Sequence, residues 1–224
     1  MKTMTCVPVI QRTRFRARLD DYSTERFPKE VILLRFTASL SARSVCMGWG
    51  KRPFGLTPRT MSPYVVDKKG NIYEMFPPEL WARHLGMQSQ NPDSVHDRRT
   101  IGIDIVNEGP LRVDRANPDQ LNWWPNRFGV RHCGLEETEK YVAGDFRGER
   151  YFAAFPHAQM LAVQFLVGRL RKEFGIPAVI PPPAKRSACD PEYFLTYRGI
   201  ASHQNFRDDR FDIGPAFDWG WLGT

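Results

Sequence analysis

The strongest constraint on the fold is a pair of short apolar runs that are rich in branched side chains. Val31–Phe36 reads VILLRF, and Ile101–Val106 reads IGIDIV. Continuous apolar runs of this length are typical of buried strands. The clearest helix comes later, over residues 156–174, where apolar side chains recur at intervals of three and four. Pro156 suits its first turn and Gly175 follows its last residue. Strands interleaved with helices predict a single α/β domain whose mixed central β-sheet is flanked by helices.

Length and composition set the expected organisation. A chain of 224 residues with 42% hydrophobic content fits one domain with a sizeable core. We expect residues 1–30 to form a basic N-terminal arm or edge strand, and residues 31–224 to form one domain. Residues 107–150 are expected to be an insertion, in which Trp123 and Trp124 are adjacent. A connection this long inside a compact domain is usually functional or locally ordered.

Two local signals place further elements between the apolar runs. Residues 64–67 and 72–75 flank Lys68-Lys69-Gly70-Asn71, which predicts a β-hairpin. A helix is expected over residues 39–48, with Ser39 as its N-cap, because a serine hydroxyl can accept a hydrogen bond from a free backbone N–H of the first turn.

The net charge and the N-terminal sequence limit which partners and which cellular location we expect. The net charge of +7 indicates an anionic partner. Nucleic acid is not expected, because the basic residues are scattered and no nucleic-acid motif is present; anionic cell wall fits the charge as well. No apolar run approaches the roughly 20 residues that span a bilayer, so no membrane span is expected. The N-terminus has no apolar stretch of secretory-signal length. We therefore expect cytoplasmic synthesis, with action on the cell wall after delivery or lysis, or as part of a virion.

A histidine and an aspartate near the C-terminus suggest a metal site. Asp212 follows His203 by nine residues and opens an Asp-Ile-Gly-Pro turn. Imidazole nitrogen and carboxylate oxygen are ligands that Zn²⁺ takes in catalytic sites. The alternative is a capped loop in which the histidine bonds a neighbouring carboxylate, and an isolated pair of this kind is weakly specific.

Five segments, in order along the chain, resemble the zinc-dependent N-acetylmuramoyl-L-alanine amidases, the family that includes phage lysozyme-type amidases and peptidoglycan recognition proteins. The resemblance implies an amidase-like α/β fold, a zinc cofactor, and peptidoglycan or muropeptide as substrate. The segments are residues 31–39, 62–73, 81–86, 100–109 and 199–219.

The resemblance also implies roles for individual residues. The metal ligands would be the residue at the end of the first strand, His203 and Asp212. Asp104 occupies the position of the general base, and Arg210 that of a lysine that stabilises the oxyanion. The first-strand position is Arg35, however, and a guanidinium is permanently charged and has no lone pair to donate to a metal.

The same resemblance implies a set of substrate-binding residues. His84 lies in a loop that faces the substrate cleft in the family, although a surface histidine near Trp81 is an equal alternative. Aromatic platforms for sugar rings are expected from Tyr64, Trp123 and Trp124, with core packing as the alternative. Asn107 follows the second apolar run and is expected to bind muropeptide amides.

Two accounts of the chemistry remain open. In the first, zinc is lost and Arg35 contacts the Asp212 carboxylate directly, with Asp104 as a further partner, because buried carboxylates need compensation. The protein would then bind muropeptide or serve a structural role in a virion or secretion assembly. In the second, an active zinc amidase recruits a third ligand from His84 or from His132-Cys133.

Overall fold

The computed structural model describes residues 8–49, 60–85, 95–123 and 129–223, and it is built on a six-stranded mixed sheet. The strand order is β1-β4-β3-β5-β2-β11, in which β3 and β4 pair antiparallel and the other neighbours pair parallel. The strands are β1 (Ile10–Gln11), β2 (Val31–Phe36), β3 (Tyr64–Val66), β4 (Ile72–Glu74), β5 (Thr100–Ile105) and β11 (Gly199–Ser202). The predicted mixed central sheet is therefore confirmed.

Helices flank this sheet, and the longest of them closes the main core. The helices are α1 (Ala42–Trp49), α2 (Val95–Arg99), α3 (His157–Phe174), α4 (Pro183–Arg186) and α5 (Pro191–Leu195). Helix α3 begins directly after Pro156 and ends at Gly175, which adopts φ of 65° as a left-handed C-terminal cap. The helices of the described ranges are all too short or too polar to cross a membrane.

Helix α1 begins later than the sequence predicted, because a different serine caps it. The Ser41 hydroxyl accepts a hydrogen bond from the backbone N–H of Ser44 at 3.1 Å, as an N-cap does. Ser39 instead donates its hydroxyl to the carbonyl of Ser41 at 3.4 Å. The prediction of Ser39 as the cap is therefore wrong.

Strand alternation gives the central sheet two different faces. Ile32 and Leu34 of β2 pack with Ile103 of β5 and with α3 in the largest hydrophobic cluster. Val31 and Leu33, which alternate with them, lie on the opposite face in a separate cluster. Because successive side chains of a strand point to opposite faces, the next residue of β2 on that second face is Arg35.

A second sheet is formed by most of the segment that the sequence marked as an insertion. Its five strands are antiparallel in the order β8-β7-β6-β10-β9. They are β6 (Pro110–Val113), β7 (Gln120–Trp123), β8 (Arg131–Gly134), β9 (Tyr141–Phe146) and β10 (Glu149–Ala153). Its own buried cluster is small, with Leu111, Leu121, Cys133 and Ala153 at the centre.

The basic N-terminal segment lies at the edge of the central sheet. Strand β1 pairs parallel with β4, placing Ile10 opposite Ile72. Arg12 then contacts Glu74, with 3.2 Å between Nε and Oε1. The short pairing adds one edge strand to the sheet.

Candidate functional site

The ends of three parallel strands bring charged and polar side chains to one face of the sheet. Arg35 near the end of β2 is the register partner of Asp104 on β5. Ser202, the last residue of β11, is the partner of Leu34, so His203 follows beside Arg35 on the same face. In open α/β sheets, ligands bind in the crevice outside the carboxyl ends of the strands. The strand register alone therefore assembles a candidate site.

Arg35 forms an ion pair with Asp104. Its Nε lies 3.0 Å from Asp104 Oδ1, and the two side chains are 14% and 2% exposed. The two atoms are not aligned as a hydrogen bond, so the contact is an ion pair. The Arg35–Asp212 contact predicted from the sequence is wrong, since the ion pair that Arg35 makes within the described residues is with Asp104. The physical reason is the register, which sets the two side chains opposite each other on adjacent strands.

Asp212 is held by His203 instead. His203 Nδ1 and Asp212 Oδ2 are 2.8 Å apart, and both side chains are buried. Burial lowers the pKa of His203; Asp212 raises it in part, and Arg35 lowers it again, with a net lowering. For Asp212, burial raises the pKa, but His203 and Arg35 outweigh that effect and leave it lowered. A neutral imidazole donating to a charged carboxylate fits both directions.

A cavity of about 590 Å³ opens over these side chains. Helix α1 contributes Val45 and Trp49 to its wall. Six positions that the sequence assigned to the site line it together: Arg35, His84, Asp104, His203, Arg210 and Asp212. The residues predicted for metal binding and for catalysis therefore meet in one cleft.

His84 lines the cavity but is not a surface residue. It is 1% exposed, its Nδ1 lies 3.0 Å from the carbonyl oxygen of Ala82, and its Nε2 bonds the hydroxyl of Thr100. Burial lowers the pKa of His84 well below its usual value, and the charge of Arg35 adds to this effect. Its ring is thus neutral and bonded through both nitrogens. The predicted role in substrate binding remains a prediction.

Tyr64 lies on the other face of the sheet, away from the cleft. It is 2% exposed within the cluster that packs on α3, and its hydroxyl donates to Glu74 at 3.1 Å. It precedes Val65, the register partner of Asp104, so strand alternation turns it away from the site. The prediction of Tyr64 as a platform for sugars is therefore not supported by its position.

Asn107 and Trp123 connect the two sheets rather than line the cavity. The side-chain amide of Asn107 donates to the carbonyls of Ala153 and Ala154, and its oxygen accepts from the N–H of Gly109. Trp123 donates its indole N–H to the carbonyl of Glu108 at 3.2 Å. The polar groups of Asn107 are used by the backbone, which explains its burial without a substrate. Trp124 lies outside the described residues.

Arg207 is a cleft residue that the sequence did not single out. Its guanidinium bonds both carboxylate oxygens of Asp209, at 2.8 and 2.7 Å, and the carbonyl oxygen of Leu85 at 2.8 Å. Arg210 lies beside it, with its Nε 3.6 Å from Asp209 Oδ1. Burial lowers the pKa of Arg210, and the charge of Arg207 lowers it further. The run Arg-Asp-Asp-Arg between His203 and Asp212 was the signal that could have revealed this cluster.

The donor set does not fit a three-ligand zinc ion. Two of the expected ligands, His203 and Asp212, hydrogen-bond each other, and the third position holds a guanidinium that cannot donate a lone pair. Across the described ranges, no His, Cys, Asp and Glu side chains form a group of three that could hold a metal. His132 does not supply the third ligand, because it lies on β8 with its Nδ1 3.4 Å from Glu108.

Comparison with solved structures shows which fold this is. The chain is similar to AmiD, an N-acetylmuramyl-L-alanine amidase from E. coli, with a TM-score of 0.53 and 17% identity over 89% of this chain and 58% of that chain. It is also similar to LysCS, an endolysin amidase from Clostridium intestinale, with a TM-score of 0.51 and 13% identity over 97% and 94% of the two chains. AmpD gives a TM-score of 0.50 and 12% identity, over 96% and 92%.

At these identities, the likeness establishes the fold and not the activity. No family model and no curated protein matches the chain. This chain spans 58% of the AmiD chain. The chain therefore has the amidase-like α/β fold that the sequence predicted.

Proposed function

We propose that this protein is directed to peptidoglycan and binds muropeptide in the cleft of an amidase-like domain whose zinc centre has been replaced by ion pairs. The fold supports this proposal, because its neighbours AmiD and LysCS are N-acetylmuramoyl-L-alanine amidases. AmiD was solved with anhydro-N-acetylmuramic acid-L-Ala-D-γ-Glu-L-Lys as its substrate. The cleft at the strand ends supports it as well, because this is where α/β sheets bind ligands.

The observation that carries the proposal is the pairing of charges where a metal would need free ligands. Arg35 compensates Asp104 at 3.0 Å, and His203 holds Asp212 at 2.8 Å. Each buried carboxylate thus has a partner within the protein, and breaking a buried pair by removing one member is strongly unfavourable. A metal at this place would have to compete with a fixed guanidinium charge.

Metal analysis paired with a stem-peptide release assay tests the loss of zinc. We expect the unmodified protein to bind substoichiometric zinc and to release no stem peptide from cell wall. The variant Arg35→His restores an imidazole at the first-strand position, and Arg150→His, at a side chain that is 77% exposed, is the matched control.

The outcomes separate the two accounts of the chemistry. If Arg35→His alone gains zinc and releases peptide, replacement of a ligand is supported. One equivalent of zinc together with peptide release by the unmodified chain would instead establish the active amidase with a reorganised site.

Titration with a soluble muropeptide tests the binding role. Trp49 lines the cavity, so its fluorescence should respond when the cleft fills, and calorimetry provides a second readout. A response below ligand concentrations on the order of a millimolar is expected for a specific but weak site. If neither readout responds, a structural role in a virion or secretion assembly replaces the binding role.

A further inference from the structure

Two guanidinium groups reach the cleft with donors that have no acceptor. Arg35 Nε and Nη1 and Arg210 Nε are buried and make no hydrogen bond within the described part of the chain. Both residues line the cavity. A buried polar group without a partner destabilises the fold, and more so when it is charged. A ligand bound in the cleft could supply the hydrogen-bond acceptor that these N–H groups lack.

The third arginine of the cleft provides an internal comparison. All three guanidinium nitrogens of Arg207 donate hydrogen bonds, two to the carboxylate oxygens of Asp209 and one to the carbonyl oxygen of Leu85. Within the described residues, Arg210 Nε lies 3.6 Å from the same carboxylate, and Arg35 meets Asp104 without hydrogen-bond alignment. Among the three arginines of the cleft, the donors without an acceptor in the described residues are thus those of Arg35 and Arg210.

Three aspartates, Asp104, Asp209 and Asp212, line the cavity together with the three arginines, so the formal charges of the lining balance. Asp209 is held by Arg207 and Asp212 by His203, which leaves Arg210 Nε without a hydrogen-bond acceptor among the described residues. An anion between Arg35 and Arg210 would accept their free N–H groups.

We infer that the cleft holds a carboxylate-binding site formed by the guanidinium groups of Arg35 and Arg210. A carboxylate matches the planar fork of an arginine and accepts charge-assisted hydrogen bonds that a neutral amide cannot equal. This inference rests on the proposed function, and it adds the chemical group that the cleft selects. A metal centre at this position would hydrolyse an amide bond, whereas two arginines are suited to bind a carboxylate.

Two carboxylates of peptidoglycan offer this chemistry. One is the lactyl carboxylate of N-acetylmuramic acid that carries no peptide. The other is the α-carboxylate that remains free on a γ-linked D-glutamate, a residue present in the ligand solved with AmiD. If the lactyl carboxylate is the ligand, the protein binds glycan from which the peptide has been removed. If the D-glutamate carboxylate is the ligand, the protein binds the intact stem peptide.

Calorimetry with two matched ligand pairs tests the inference on the full chain. The first pair is N-acetylmuramic acid and its lactyl N-methylamide. The second is N-acetylmuramoyl-L-alanyl-γ-D-glutamic acid and the corresponding D-isoglutamine. The members of each pair differ at one carboxyl group. We expect the acid to bind about tenfold more tightly than the amide in one pair, as one charge-assisted bidentate contact provides.

Variants assign the preference to the two arginines. Arg210→Gln should reduce the preference for the acid to near unity. Arg35→Lys keeps the charge beside Asp104, so the fold is preserved, but it removes the fork and should reduce the preference as well. Arg150→Gln, at a side chain that is 77% exposed, should leave it unchanged.

The possible results are distinguishable. A preference in the first pair identifies the lactyl carboxylate as the source, and one in the second pair identifies the peptide carboxylate. Equal affinities for acid and amide in both pairs, or a preference that survives both cleft variants, would overturn the carboxylate site while leaving muropeptide binding intact. Absence of binding by all four ligands would overturn both proposals.

Discussion

The two faces of the central sheet differ sharply in chemistry although the same strands build them. On the α3 face, Leu34 and Ile103 are fully buried among other apolar side chains. On the cleft face, their sequence neighbours Arg35 and Asp104 form a buried ion pair. A shift of one residue in strand register would exchange the two sets. The comparison teaches that one register fixes both the core and the site, so stability and ligand binding can be separated by mutating adjacent residues.

The largest effect is expected on the apolar face. Leu34→Ala should lower the free energy of unfolding by about 2 to 5 kcal/mol, because it removes a fully buried side chain and leaves a cavity. Chemical denaturation measures this loss. Ligand affinity of the folded fraction should stay unchanged, since Leu34 points away from the cleft. A large change in affinity at constant fold would contradict the separation of the two faces.

A smaller loss is expected one residue later, on the cleft face. Arg35→Ala should lower the free energy of unfolding by about 1 to 4 kcal/mol, because it leaves the buried Asp104 without its guanidinium partner. The double variant Arg35→Ala/Asp104→Ala should lose less than the sum of the two single losses, since it removes both charges. Denaturation of all four proteins completes the cycle. Strictly additive losses would mean that the pair contributes no coupling.

The sequence predicted this cleft through the segments that resemble the amidases, and the prediction failed for details that strand register and loops determine. Arg35 and Asp104 lie inside two of these segments and His203 in a third, so the resemblance implied that they converge. Asp104 was named only as a further partner of Arg35 after Asp212, because the choice between them depends on the register between β2 and β5, which no local pattern specifies. Asp212 lies beyond the strands, and its direction is set by a hydrogen bond to His203.

The second sheet was not predicted from the sequence, for a different reason. Its strands are short, four residues each in β6, β7 and β8, and their buried residues do not alternate: they are the first two of β6, one of β7 and the last two of β8. Only a few residues in each strand are buried, so the hydrophobic period of two that marks a strand is weak. The same weakness concealed the role of Asn107, whose side chain joins the exit of β5 to β10 and therefore looked like a polar strand end available to substrate.

The cleft side of the sheet should also make the protein sensitive to acid. Burial lowers the pKa of His84 and His203, and it lowers that of His96 to about 4. The unfolded chain, whose histidines have a pKa of about 6.5, binds more protons than the folded chain between these values, so stability falls as the pH drops from 6.5 towards 4.

One variant isolates part of this acid sensitivity. His96→Phe keeps a ring beside Phe206, whose centroid is 5.0 Å away, and removes one titrating group. Denaturation at a series of pH values should show a shallower decline for the variant between pH 6.5 and 4. An identical decline would assign the sensitivity to the other histidines.

The smallest effect is expected at the cap of the helix that forms a wall of the cleft. Helix α1 carries Val45 and Trp49, and its first turn is held by the bond from the N–H of Ser44 to the Ser41 hydroxyl at 3.1 Å. Ser41→Ala should cost about 1 kcal/mol, because one N–H of the first turn loses its acceptor. Ser39→Ala is the matched control: its hydroxyl makes only a 3.4 Å bond to a loop carbonyl, and it should cost less. Denaturation compares the two losses, and Trp49 fluorescence reports whether the wall shifts. If Ser39→Ala lowered the free energy of unfolding more than Ser41→Ala, Ser39 would be the N-cap, as the sequence predicted.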